Sequence, residues 1–185
     1  MKSKQQRTAE KTAKEIVVDA SVGRSAGRTD HPVSKACREF LETFLENTQH
    51  IVAVSSHTKD EWLRHQSHLS ARWLVAMFSR RRARMVHVTQ DKGLWSAFGD
   101  SNLSPKAFSN LHKDLHLIET ALQAQRRVAS SDDTVRAICP KCVDIRKEIG
   151  EIAWVNPVHE TEKPVEWLLA GAPREERHLL RSYTP

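Results

Sequence analysis

Runs of β-branched and aliphatic residues alternate along the chain with segments whose apolar positions recur every three or four residues, a pattern that predicts strands separated by helices. Ile16-Val17-Val18 is stopped by Asp19-Ala20-Ser21 and reads as a buried strand, with a loop rich in Gly, Ser, Asp and Pro from Gly23 to Pro32. From Ser34 to Asn47, Ala36, Phe40, Leu41, Phe44 and Leu45 fall one turn apart, which predicts an amphipathic helix. Ile51 to Val54 is a second strand. Thr58 with Glu61 has the capping-box pattern, so a helix is predicted from Lys59 to about Arg80, with Trp62, Leu69, Trp73 and Met77 on one stripe. Met85-Val86-His87-Val88 reads as a third strand. The stretch Thr89 to Pro105 reads mostly as loop, with a turn of helix around Leu94 to Phe98. Phe108, Leu111, Leu115, Ile118 and Leu122 keep to one helix face. Arg127 to Ser130 is a strand, Thr134 to Glu148 is partly helical, and Ile152 to Val155 is the last strand. Val165 to Ala170 makes a short helix, stopped by Gly171-Ala172-Pro173. Short buried strands between helices predict a three-layer α/β/α sandwich around a mainly parallel sheet.

The chain has 185 residues, the length of a single domain, and 39% hydrophobic with 28% charged residues excludes a collagen-like or low-complexity polypeptide. Lys and Arg number 29 against 23 Asp and Glu, a formal charge of +6 that permits a polyanionic partner. Three cysteines cannot all pair within one chain, and no apolar run is long enough for a membrane span or a secretory signal, so a reducing cytoplasm is the expected compartment, with no membrane partner. Lys2, Lys4, Arg7, Lys11 and Lys14 make residues 1–14 a basic tail; the expected domain runs over 15–173, and 174–185 reads as a C-terminal tail.

In open α/β sheets ligands bind beyond the carboxyl ends of the strands, and here those positions are acidic. Asp19 follows the first strand, Asp132 and Asp133 follow the fourth, and Glu61 lies near the start of the helix after the second. Asp114 sits mid-helix at the border of the apolar stripe. Each acid alone is an ordinary turn, cap or surface residue. Gathered at one sheet edge they would repel one another unless a cation neutralised them, and carboxylates with water suit Mg²⁺ or Mn²⁺.

With these residues in order, the sequence resembles the PIN-domain nucleases. The resemblance rests on Val17-Val18-Asp19-Ala20-Ser21 as opening strand and first acid, Glu61 after the second strand, Lys113-Asp114-Leu115-His116-Leu117-Ile118-Glu119-Thr120-Ala121-Leu122 as the third-acid helix, and Arg127-Val128-Ala129-Ser130-Ser131-Asp132-Asp133 as fourth strand and last acid. It covers roughly Ile16 to Val155. It implies metal-dependent cleavage of RNA phosphodiesters, often as the toxin of a toxin–antitoxin pair, with Asp19, Glu61, Asp114 and Asp132 holding Mg²⁺ or Mn²⁺ and Asp133 as an accessory ligand. It also implies pairing into a homodimer. The basic tail, the segment between Arg80 and Pro105 and the residues after Pro157 depart from compact toxins of the family. The alternative is a catalytically silent PIN-like protein that binds nucleic acid or another partner.

Ser21 and Ser131 are candidates to orient substrate or water, and Arg80, Arg81, Arg82 and Arg84 form the densest basic cluster, a candidate contact for an RNA backbone. Cys139-Pro140-Lys141-Cys142 lacks a partner pair with zinc-finger spacing and reads as two unpaired thiols. His65 with His68, and His112 with His116, have spacings that share a helix face, and His116 lies two residues from Asp114. Trp62 and Trp73 read as core; Trp95, in the loop, is the tryptophan that could stack on a base.

Overall fold

A computed structural model describes residues 13–89, 91–99, 103–143 and 146–184. Lys2, Lys4, Arg7 and Lys11 of the basic tail lie outside the described residues.

Five strands form one all-parallel sheet in the order β3-β2-β1-β4-β5: β1 (Glu15–Val18), β2 (Ile51–Val54), β3 (Ala83–Met85), β4 (Arg127–Ala129) and β5 (Ala153–Val155). Apart from the half-exposed edge strand β3, their short, mostly buried runs are what a parallel sheet covered on both faces requires. Because side chains alternate between faces, Ile16, Val18, Val52, Val54, Ala129 and Val155 join one core, whereas Val17, Ala53, Val128 and Trp154 join the other. The first core is closed by α1 (Ala20–Ser25), α2 (Pro32–Asn47), α3 (Ser56–His65), α4 (His68–Ser79) and α9 (Pro164–Leu169). The second is closed by α5 (Lys92–Gly99), α6 (Pro105–Gln123), α7 (Asp133–Ile138) and α8 (Lys147–Gly150). The chain is therefore an α/β protein with helices on both faces of its sheet, as the pattern predicts.

Several boundaries differ from the sequence reading. The helix expected from Lys59 to Arg80 is two helices, α3 and α4, each opened by its own serine cap: Ser55 accepts from the Thr58 N–H at 3.2 Å and Ser67 from the Ser70 N–H at 3.2 Å. The Thr58/Glu61 capping box does not form, because the helix begins at Ser56 and Glu61 lies beyond its first turn. The loop after β1 contains the short helix α1, hidden in sequence by Gly23, a weak helix former. That glycine is required: a Cβ there would come within 2.8 Å of the Trp62 ring. The expected third strand is displaced to Ala83–Met85, and the single turn around Leu94 extends to the whole of α5.

The segment 174–185 is not a tail over its described residues. Leu179 and Leu180 are buried, Leu179 bridges Ala153 of β5 in antiparallel fashion, and the Leu180 N–H donates to the Ile152 carbonyl at 3.0 Å. Cys37, Cys139 and Cys142 are buried and form no disulfide, the last two within the second core. Trp95 donates its indole N–H to Glu119 Oε1 at 3.2 Å, and the same oxygen accepts the Asp91 N–H at 3.1 Å, which pins α5 against α6.

The arginine cluster lies at the edge where the strands begin, opposite the acids. Arg82 is buried; its guanidinium donates to the carbonyls of His50 at 2.9 Å, Leu45 at 2.8 Å and Phe44 at 2.7 Å, closing the C-terminal end of α2. Arg84 pairs with Glu15 at 2.6 Å, and Arg80 pairs with Glu46 at 3.0 Å. Arg81 is exposed, with a left-handed backbone at φ 56°. These positions correct the expectation of an RNA-binding patch: Arg82 and Arg84 are committed to backbone and to Glu15, and all four are remote from the acidic edge. Arg82→Ala would strand three carbonyls and is expected to destabilise the protein by about 3 kcal/mol. Denaturant unfolding should record that loss, while RNA affinity at two salt concentrations should match the wild type.

Candidate functional site

The strand order places β1 at the centre: the chain lays β2 and β3 on one side of it, then returns to lay β4 and β5 on the other. The crevice at the carboxyl ends of β1 and β4 is therefore the switch point at which open α/β sheets bind ligands. Val18 is in register with Ala129, and the Asp19 N–H donates to the Ala129 carbonyl at 2.9 Å, so Asp19 and Ser130 emerge side by side.

Asp19 precedes α1, yet its side chain makes no capping bond. Instead its Oδ2 accepts hydrogen bonds from Ser21 Oγ at 2.5 Å and Ser130 Oγ at 2.7 Å, in a site where Asp19 is only 7% exposed. Oδ1 takes neither bond. The same hydroxyls brace the loop after β4: Ser21 Oγ accepts the Ser131 N–H at 3.2 Å, and Ser130 Oγ accepts the Asp132 N–H at 3.0 Å. Asp132 accepts the Thr134 N–H at 2.7 Å, so it does cap α7, with one oxygen.

Asp114, on α6, completes a convergence of carboxylates. Burial, followed by the negative charges of Asp19, Asp132 and Glu61, pushes its carboxyl up to about 6, with His116 opposing. Among the described residues no basic side chain forms an ion pair with Asp19, Asp114 or Asp132. The folded protein therefore binds a proton at Asp114 that the unfolded chain has released, and stability falls as pH rises from 3.8 through about 6. Asp114→Asn should raise the melting temperature of the metal-free protein above pH 6 and leave it unchanged near pH 3. A pH series of thermal melts that shows the same difference at both ends would refute this electrostatic account.

Glu61 is placed by α3 beside two histidines. Its Oε2 lies 2.9 Å from His116 Nε2 and its Oε1 lies 3.6 Å from His57 Nε2. Burial alone would raise the Glu61 pKa and lower that of His116; their mutual attraction reverses both directions. The His57 and His116 rings stack at 4.2 Å.

Electrostatics thus couples Asp114 to Asp19, Asp132 and Glu61, although no three of these four carboxylates bring ligand atoms within 4.8 Å of one another, and Asp133 is directed elsewhere. Asp133 Oδ2 accepts from Asn156 Nδ2 at 2.9 Å and lies 3.1 Å from His159, while Arg136 approaches Oδ1 at 3.7 Å. Arg136, 2% exposed, is also paired with Glu162 at 2.6 Å. Asp133 belongs to this neutralised network and not to the carboxylate set, which corrects its expected role as an accessory ligand. Ser21 positions Asp19; Ser131 contributes its backbone N–H. Ser130 and His57 join the site although no motif of the sequence assigns them a role. Ser130 is the last residue of the expected fourth strand, one step before the serine that was singled out, and His57 stands four residues before Glu61 on the same helix face.

No protein-family model matches this chain, and no curated protein matches it. No described helix is long and apolar enough to cross a membrane.

Proposed function

We propose that this protein is a PIN-like, metal-dependent ribonuclease that hydrolyses RNA phosphodiester bonds. The observation that carries the reading is the convergence of Asp19, Glu61, Asp114 and Asp132 at the switch point of a parallel sheet, with the carboxyl of Asp114 held up to about 6 by burial and its acidic neighbours. Hard oxygen donors with no ion-paired cationic side chain at Asp19, Asp114 or Asp132 are the environment that Mg²⁺ or Mn²⁺ relieves, so the chemistry of the donor set fits the ion, which would draw the carboxylates to ligand spacing as it binds. The sheet and its two helical layers agree with the fold that the sequence resemblance implies.

Asp19, Glu61, Asp114 and Asp132 would hold the ion. When bound, Mg²⁺ or Mn²⁺ supplies a Lewis acid that offsets the charge accumulating on a phosphodiester under in-line attack. Ser21 and Ser130 fix Asp19 through Oδ2, so its free oxygen is presented in one orientation without a conformational search at each turnover. Asp114 must lose its proton to contribute charge, so binding of the ion by the metal-free protein is expected to strengthen as pH passes through about 6. The formal charge of +6 assists encounter with a polyanion, while the arginines at the far edge take no part.

The test is cleavage of a pool of structured RNAs by the purified chain with Mg²⁺, with Mn²⁺ and with EDTA. Fragments that need the metal support the enzyme. Stable RNA binding without cleavage under every metal condition would favour a silent nucleic-acid-binding protein of the same fold.

A further inference from the structure

His57, Glu61 and His116 offer three ligand atoms that all lie within 4.8 Å of one another, on two helices that meet at the mouth of the crevice. The i,i+4 spacing of His57 and Glu61 puts both on one face of α3, and α6 brings His116 against that face. His116 is 7% exposed, and its Nδ1 lies 3.1 Å from the Lys113 carbonyl. A carbonyl can only accept, so Nδ1 carries the hydrogen and the lone pair of the neutral ring resides on Nε2. That nitrogen is buried, with Glu61 Oε2 2.9 Å away. In the metal-free protein the raised His116 pKa places a proton on this nitrogen, paired with Glu61; a cation that displaces the proton gains the Nε2 lone pair, while the backbone holds the ring in the orientation seen in metal-ligating histidines.

From this geometry we infer a second metal site, formed by His57, Glu61 and His116, that takes a divalent transition ion of the Zn²⁺ class. Atoms sharing a tetrahedral zinc ion at ~2.0–2.2 Å stand ~3.3 Å apart; here one ligand atom from each residue lies within 4.8 Å of the other two, and each Glu61 oxygen already reaches one ring, Oε2 at 2.9 Å from His116 and Oε1 at 3.6 Å from His57. His57 is exposed, so a side-chain rotation brings it onto the ion without moving backbone. Two imidazoles and one carboxylate favour zinc over magnesium, whose preferred donors are oxygens alone. Three protein ligands leave a fourth position open to water or to a ligand oxygen. The site shares Glu61 with the carboxylate set but does not depend on the ribonuclease reading.

Calorimetric titration of the whole chain with Zn²⁺, in excess Mg²⁺ and without RNA, tests the site. One equivalent is expected to bind, and His57→Ala and His116→Gln should each weaken it by at least about tenfold, whereas Asp132→Asn should retain it. Circular dichroism melts establish that both histidine variants are folded. The inference is overturned by absence of binding, by equal affinity in the histidine variants, or by loss in Asp132→Asn alone. A sulfur-to-metal charge-transfer band with Co²⁺ would assign the ion to the cysteines and would equally overturn it. Because no RNA is present, failure here leaves the cleavage experiment untouched.

Discussion

Asp19→Asn is expected to reduce metal-dependent RNA cleavage by about 10³-fold or more, the equivalent of about 4 kcal/mol of transition-state stabilisation. The substitution preserves shape, and the amide oxygen can still accept from Ser21 and Ser130, whose hydroxyls reach Asp19 Oδ2 at 2.5 and 2.7 Å. What it removes is a negative charge from the centre of the carboxylate set. Two consequences separate a lost metal ligand from a lost fold. The variant should melt no lower than the wild type in EDTA, because the repulsion that Asp114 experiences from Asp19 is relieved. Its RNA affinity without metal should hold or increase, since one like charge facing the phosphates has gone. Cleavage at the wild-type rate would remove Asp19 from the proposed chemistry.

Trp62→Ala is expected to have the largest effect on stability, about 3–5 kcal/mol, and to lower the melting temperature by about 10 °C. Trp62 is 1% exposed, stacks on Trp73 with centroids 5.3 Å apart, and fills the space that Gly23 leaves open on α1. Its indole N–H donates to the Val18 carbonyl at 2.8 Å. That bond joins the residue after Glu61 to the residue before Asp19, so one side chain fixes the spacing of two site acids. Trp62→Phe retains most of the buried area and loses the hydrogen bond, for an expected cost of about 1 kcal/mol plus a small cavity term. Chemical denaturation of both variants, with residual cleavage measured well below their midpoints, checks the link: Trp62→Phe should lose activity out of proportion to its stability. If activity and stability fall in step, Trp62 is a packing residue only.

The elements that were legible in the chain are those whose formation depends on neighbours in sequence. Ile16 to Val18 and Ile51 to Val54 are β-branched runs too short for helices, and they became β1 and β2. Phe108, Leu111, Leu115 and Ile118 could form a single apolar face only as a helix, and α6 carries them inward. The break between α3 and α4 was hidden because Trp62, Trp73 and Met77 all face the same core, so the apolar stripe runs through the interruption in phase; only the Ser67 cap betrays it. Arg82 read as a surface cation because charge is what sequence displays, while the carbonyls that bury it come from α2 and the start of β2. Leu179 and Leu180 lie in a polar segment and acquire their role only by meeting β5.

Local pattern, then, was enough to specify alternating strands and helices, the parallel sheet and the edge at which acids accumulate, because hydrophobic periodicity and strand-end position are properties of adjacent residues. With the resemblance to PIN-domain nucleases it nominated Asp19, Glu61, Asp114 and Asp132, but it left Asp133, one position further along the chain, as an accessory ligand. Tertiary packing decided otherwise: Asn156, His159 and Arg136 converge on Asp133. The same packing stacked His57 on His116 around Glu61. Charge neutralisation and metal-ligand geometry act through space at a few ångströms, and which residues share that space is decided when the layers close.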